Sequence, residues 1–292
     1  YSGAGEVDLG EARLQGHWLT VGRGCVFNCA YCGGCKAAHR TLARRDGYVM
    51  RSPEAVLRDM KRLRDRDIHQ VSFSLDIATF GPRWWRELFG LLKRDGLSMG
   101  LYNEFFQLPS ETFLEQYAAI CDLRHTEVAI SPLSGDDQVR QANGKYFDND
   151  TLLSRLELLG DLGVPIFVYF SLNLPHETRR AFRKTLALAE QIGDSYPSDL
   201  LRMINTCHTL DPASPMAMDP DSFDIEVSYR SFKDYYAYAR GTRWQPRHVI
   251  RGQHRGFEMP WRPAEAVEQM ARRWDRFAQQ QSFECYGVPK RW

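Results

Sequence analysis

Apolar and polar positions along this chain follow two periods that take turns. HWLTVG (residues 17–22) is a short apolar run stopping at a glycine, which reads as a strand entering a loop. Beyond it the period changes. Ser52 is placed to cap a helix, Pro53 suits its first turn, and Val56, Leu57, Met60 and Leu63 recur on one face while the intervening arginines face water. VSFSLD (71–76) then alternates as a strand does. PRWWRELFGLLKRDG (82–96) returns to helical spacing and stops at Gly96, SMGLYNEFF (98–106) is strand-like, and SETFLEQYAAICDL (110–123) is helical behind Ser110. TEVAIS, PIFVYFSLN and LLRMINT give three more strands, with TLLSRLELLGDLG and ETRRAFRKTLALAEQIG as the helices between them.

Six strands alternating with helices over residues 17–206 predict an α/β fold of parallel strands joined by right-handed crossovers, either a partial barrel or a doubly wound open sheet. In both, ligands sit at the carboxyl ends of the strands. The expected organisation is a linker over 1–16, the barrel over 17–210 and a mostly helical C-terminal cap over 211–292, with helices near SFKDYYAYAR and PAEAVEQMARRWDRFAQQ.

Composition narrows the function classes. The 292 residues are 43% hydrophobic and carry a net charge of +1, so no global field draws the chain to nucleic acid or to an anionic membrane. No run approaches a membrane span, and the N-terminal residues lack the features of a signal peptide, which places the protein in the cytoplasm. The chain opens at Tyr1 rather than Met, and a fragment of a longer protein is expected.

Seven cysteines are present, and Cys121, Cys207 and Cys285 have no partner spacing, which argues against a secreted disulfide framework. The other four crowd GCVFNCAYCGGC (24–35). Cys25, Cys29 and Cys32 stand in C-x3-C-x2-C spacing on a loop leaving the first strand, where three soft thiolates suit an iron–sulfur cluster. Cys35 leaves open a four-ligand zinc site. Three ligands would leave one iron of a [4Fe-4S] cube open to a substrate or cofactor.

GCVFNCAYC, with Tyr31 before the third cysteine, resembles the cluster loop of the radical S-adenosylmethionine (SAM) superfamily. The resemblance implies a partial (β/α)6 barrel, a [4Fe-4S] cluster held by Cys25, Cys29 and Cys32, and SAM chelated to the open iron and cleaved to a 5′-deoxyadenosyl radical. It also implies an electron donor such as flavodoxin or ferredoxin, and Cys35 becomes an extra thiol. Gly33 and Gly34 would let the backbone approach the cofactor. NLPHET (173–178) resembles the Gly-x-Pro-x-Glu-Thr stretch after the fifth strand of many members, with Asn173 in place of glycine. LDPASPM (210–216) resembles the turn after the sixth. Two departures stand out. Where relatives have Gly-Gly-Glu, this chain reads SLDIAT, with Asp76 as the acid. Where many have a Glu-Ser pair, it has Leu133 and Ser134, with Asp136 or Asp137 either supplying an acceptor or capping the next helix. Asp76, Ser134 and Asn173 are therefore the residues expected to line SAM.

CGG, NLPHET and PASP together most resemble the cobalamin-dependent branch, which includes tryptophan C-methyltransferase-like enzymes. This implies methyl transfer to a carbon of a small aromatic or carboxylate-bearing molecule, with cobalamin bound mainly by a domain outside this chain. Within the same superfamily the alternative is an RNA-modifying enzyme such as a methylthiotransferase; from another class it is a zinc-stabilised binding module. Asn103, Glu104, Cys207 and His208 are further candidates at the mouth, Tyr169 and Cys121 read as core, and the Arg- and Trp-rich segment 240–262, around Trp244 and Arg247, reads as a solvated lid, as a holder of a carboxylate and an indole-like ring of a small substrate, or as a nucleic-acid contact.

Overall fold

The computed structural model describes residues 16–207, 210–241 and 256–281. Its frame is a six-stranded parallel sheet. The strands in chain order are β1 (Gly16–Leu19), β2 (Gly22–Cys25), β3 (Gly47–Met50), β4 (Gln70–Phe73), β5 (Gly100–Phe105), β6 (Glu127–Leu133), β7 (Ile166–Leu172), β8 (Leu201–Cys207), β9 (Glu226–Val227) and β10 (Phe257–Glu258). The large sheet runs β1-β4-β5-β6-β7-β8. The helices are α1 (Lys36–Ala43), α2 (Pro53–Arg64), α3 (Pro82–Arg94), α4 (Glu111–Ile120), α5 (Asp137–Ala142), α6 (Asn149–Asp161), α7 (Arg179–Ser195), α8 (Pro215–Met218), α9 (Phe232–Gly241) and α10 (Ala264–Gln280).

Sequential strand order decides between the two architectures. With no reversal in the order, right-handed crossovers must place every connecting helix on one face, so the sheet is singly wound and barrel-like rather than doubly wound. Burial agrees. Val71, Leu101, Val128, Val168, Phe170 and Met203 point outward into one continuous core with the helices, whereas Tyr102, Ala129, Phe167, Tyr169 and Ile204 form a separate cluster on the concave face. Alternation along each strand produces this division. Capping residues set the helix starts: Ser52, Ser110, Asp148 and Thr178 each accept an N–H from the first turn of α2, α4, α6 and α7.

Three features differ from the sequence reading. HWLTVG is divided, because β1 stops at Leu19 and the chain turns into β2, which pairs antiparallel with β3 as a separate hairpin. Short strands flanked by glycine carry too little periodicity to be read. The helix α10 does not lie over the mouth. Its Val267, Met270, Ala271 and Trp274 join the main core, with the Trp274 ring 5.7 Å from Phe170 on the outer face of β7, so it completes the helical layer. Cys121 is not on a helix stripe: it follows α4 in extended conformation and is half-buried.

Among the described residues, no helix is long and apolar enough to cross a membrane.

Candidate active site: the cysteine loop at the strand ends

The cysteine loop leaves the β2–β3 hairpin at Cys25 and runs into α1. Its backbone coils on itself: Cys32 N–H donates to Cys29 O (3.2 Å) and Lys36 N–H to Phe27 O (2.8 Å). Asn28 Oδ1 accepts from Ala37 N (2.8 Å), pinning the loop to the helix start. Cys35 is drawn away from the others in role, since it is the N-cap of α1 and its Sγ accepts from Ala38 N at 3.5 Å. Two of the remaining thiols meet backbone N–H groups, which suit charged sulfur. Phe27 N–H points to Cys25 Sγ (3.4 Å) and Gly34 N–H to Cys32 Sγ (3.3 Å).

Two other loops clamp this one from the carboxyl ends of β6 and β8. From the β6 side, Asn143 O accepts Ala30 N (3.4 Å), and the Gly144 carbonyl lies 3.8 Å from Cys29 Sγ. Gly144 has φ +92°, and a Cβ there would stand 2.6 Å from Cys29 Cα, so only glycine lets the segment come this near. Gln107 secures the segment, donating to Gly144 O and accepting from Tyr146 N, both at 2.8 Å. From the β8 side, Asp211 Oδ2 accepts Gly33 N (3.1 Å) and Ala30 O accepts Met216 N (3.0 Å). A Cβ on Gly33 would meet Pro212 O at 2.3 Å, so that glycine serves contact with the protein, not with a cofactor as expected from sequence. Gly34 faces only the Cys32 sulfur.

Burial pushes the thiols of Cys25 and Cys29 up and that of Cys32 up to about 12. At Cys29 the Lys145 ammonium is the leading opposing influence. The loop thus favours sulfur anions only when their charge is met by metal. Among the described residues no group of three or more His, Cys, Asp or Glu is close enough to hold a single ion. A zinc knuckle would draw its ligands to about 2.3 Å of one centre, whereas a cube spreads its thiolates over separate irons. Two sulfurs facing N–H donors, a third under the influence of the Lys145 ammonium, and Cys35 committed to a helix cap fit a cube with three protein ligands.

The family follows from the whole stretch rather than from the loop alone. Residues 19–189 match the family described as the radical SAM superfamily. This chain belongs to the radical SAM superfamily. Membership brings a [4Fe-4S] cluster and SAM as cofactors. Among solved structures, two of the radical SAM methyltransferase TsrM from Kitasatospora setae are similar in fold at 14% identity and TM-score 0.57. One contains cobalamin and a [4Fe-4S] cluster, the other tryptophan and a SAM analogue; they cover 74% and 75% of this chain and 42% of theirs. This radical SAM chain therefore spans about two fifths of the length of those structures. Methylornithine synthase is also found, at 12% identity and TM-score 0.48, over 69% of this chain and 55% of that one. No curated protein matches by sequence.

The residues expected to line SAM all lie at strand ends, yet their side chains are committed elsewhere. Asp76 is fully buried, taking N–H groups from Ala78 (3.0 Å) and Phe106 (2.8 Å) and the Asn103 amide (3.4 Å); burial pushes its carboxyl up to about 7. Ser134 Oγ accepts Asp136 N (3.1 Å) and lies 3.4 Å from the Thr185 hydroxyl of α7. Asn173 adopts φ +61°; its N–H donates to Glu177 Oε2 (3.0 Å) and its Oδ1 accepts from Arg262 (3.5 Å). Glu177 is buried against Arg262 at 3.0 Å, and Thr178, not Glu177, caps α7. Asp136 caps α5 and pairs with Lys184, while Asp137 pairs with Arg140, so the capping reading holds for this stretch.

The other candidates separate by face. Asn103 is buried among the helices, with Oδ1 unpartnered, instead of pointing to the mouth. Cys207 likewise belongs to the outer core. Glu104 is exposed on the concave face, and Tyr169 joins it there rather than the main core, 4.0 Å from Phe167 between ring centroids. Deeper in that face Arg202 lies over Phe167 (4.3 Å) and pairs through two nitrogens with Glu127. His208, Trp244, Arg247 and Cys285 fall outside the described residues. Sequence reading missed Gln107, Gly144 and Lys145. They lie in two separate loops, and nothing in their spacing marks that Gln107 secures the segment that Gly144 brings to the cysteine loop.

Proposed function

We propose that this chain is the catalytic barrel of a radical SAM enzyme that methylates a carbon of a small, aromatic molecule with the help of cobalamin held mainly outside these residues. The observation that carries the substrate class is the concave face. Register places Glu104 beside Ala129, Ala129 beside Phe167 and Phe167 beside Arg202 in one row across four strands. Tyr102, Phe167 and Tyr169 gather on this face around the small Ala129, an aromatic lining suited to a planar group. Glu104 offers a carboxylate at its edge. The likeness to TsrM, whose structures hold cobalamin and tryptophan, supports the branch.

Cys25, Cys29 and Cys32 would hold the cluster and leave one iron for SAM. When bound, these groups supply one-electron cleavage of a carbon–sulfur bond and carriage of a methyl group. The protein orients and excludes water. Asp76, Ser134 and Asn173 act in this proposal as positioning residues, fixing through their hydrogen bonds the loops that surround the nucleoside. Tyr102 and Tyr169, which share a hydrogen bond, wall the substrate; burial pushes both phenols up, so they stay neutral donors. An electron donor of the flavodoxin or ferredoxin type and a cytoplasmic setting fit a reducible, oxygen-labile cluster.

The test uses the protein at its full natural length, reconstituted anaerobically with iron, sulfide and cobalamin. Tryptophan and a small-molecule cell extract are supplied with methyl-labelled SAM and reductant. Cobalamin uptake and label in a carbon-methylated product are expected. No cobalamin uptake, with 5′-deoxyadenosine formed and no methylated product, would refute methyl transfer and leave a simpler radical reaction.

A further inference from the structure

The helices α7 and α10 begin close together at the carboxyl ends of the strands, joined there by the Arg262–Glu177 pair (3.0 Å). Between them lies a groove of about 870 Å³. Its described lining carries six arginines, one of them Arg262, and neither a lysine nor a carboxylate. The whole chain is neutral to within one charge, so this is a local concentration and not part of a general field. Arg179 and Arg183 stand one turn apart on α7, and Arg272 and Arg273 one turn from Arg276 on α10. All five are exposed. Arg272 meets Glu268 of its own helix at 3.4 Å, whereas the other four make no ion pair among the described residues. Like charges one turn apart weaken a helix, so two such rows burden the protein unless something meets them.

Charge is only half of what the groove offers. Phe182 and Met270, both buried, and the half-buried Ala266 line it as an apolar strip beneath the exposed arginines. Where the helices start, Trp261 is 48% exposed, with the Arg262 guanidinium 4.6 Å over its ring. Tryptophan and arginine are the residue types most enriched among interface anchors. A phosphate backbone would meet the arginines but leave the apolar strip wet, and the one indole in the described lining gives a single platform for a base. An amphipathic helix answers both features. Its apolar positions at i, i+3, i+4 and i+7 would rest on the strip, while carboxylates on its flanks take paired N–H bonds from the guanidinium groups on either side. We propose that the groove between α7 and α10 docks an acidic amphipathic helix of a partner protein. The inference stands apart from the cluster and from methyl transfer.

The experiment uses the protein at its full natural length. The probe is a fluorescent synthetic helix with leucine along one face and glutamate along the others, titrated by anisotropy. Its glutamine counterpart and a scrambled peptide of the same composition are titrated beside it, and oligouridine and tripolyphosphate are added as competitors. The acidic helix should bind, and more weakly as salt rises. Arg183→Glu combined with Arg273→Glu should raise its Kd about tenfold or more, because charge-assisted bonds become repulsions. Ala266→Glu keeps every arginine and should do the same by charging the strip. Arg58→Glu, on the exposed face of α2, should leave the Kd at the parent value. Urea midpoints confirm that each variant is folded, and the double and Ala266 variants report independently. No binding by the parent, undiminished affinity in the double variant, or equal affinity for the glutamine or scrambled peptide would overturn the proposal. So would displacement of the probe by oligouridine or tripolyphosphate at lower concentration than by the unlabelled helix, which would make the groove a phosphate site.

Discussion

Replacing Gly144 with alanine tests whether the β6 loop really holds the cysteine loop in shape. Two costs can be read from the geometry. The backbone stands at φ +92°, where an L side chain is strained by about 1–3 kcal/mol. The new Cβ would also lie 2.6 Å from Cys29 Cα, 2.9 Å from Asn28 O and 3.1 Å from Cys29 N. Carbon atoms pack at about 3.5–4.0 Å, so one loop must withdraw by roughly 1 Å. Overpacking of that size costs about 1–3 kcal/mol more. Together they reach roughly 2–6 kcal/mol, well above the worth of the long Ala30–Asn143 hydrogen bond that joins the loops. The loops should therefore part rather than the barrel unfold. Gly163→Ala separates the two costs, because that glycine also has positive φ (+67°) but its Cβ would meet nothing within 4 Å. Iron and sulfide per chain after anaerobic reconstitution are measured beside circular dichroism and urea midpoints. Gly144→Ala should keep its secondary structure and load less than half the parent's iron, whereas Gly163→Ala should lose some stability and load fully. Full loading and parental SAM affinity in Gly144→Ala would refute the clamp.

Cys25→Ala, Cys29→Ala and Cys32→Ala should each abolish cluster incorporation by iron and sulfide analysis, while Cys35→Ala should load normally and lose about 1 kcal/mol with its helix cap; a Cys35 variant as empty as the others would mean four protein ligands. Asp76 titrates near 7 when folded and near 3.9 when unfolded, so its contribution to stability is fully present below about pH 4 and is lost as pH rises through about 7. Relative to Asp76→Asn, the parent should gain up to about 4 kcal/mol in urea denaturation between pH 8 and pH 4; parallel curves would sink the assignment. Arg262→Met leaves the Glu177 carboxylate buried without its 3.0 Å partner and should cost about 3–5 kcal/mol. Adding Glu177→Leu should recover much of that, and a double variant no more stable than the single one would show that the pair is not the source.

The cluster loop and the strand–helix alternation were legible from the chain alone because both are local. C-x3-C-x2-C needs no distant residue to bring its thiols together, and period 2 or 3.6 is imposed on each element by the layer it faces. The same locality explains why Ser52, Ser110 and Thr178 could be read as helix starts. What escaped the sequence depends on which way a side chain turns once loops from different strands meet. Asp76, Ser134 and Asn173 do lie at strand ends, but the partners that occupy their side chains are Phe106, Thr185 and Arg262, residues 30, 51 and 89 positions off. Gly33 reads as a cofactor contact until the turn after β8 is folded onto it. The helix α10 reads as a cap until its apolar stripe finds the outer face of β7. Nothing in the sequence marks Lys145, which the fold buries beside the segment that approaches Cys29, because packing between distant segments, and not the pattern along one of them, determines which charges lose their water.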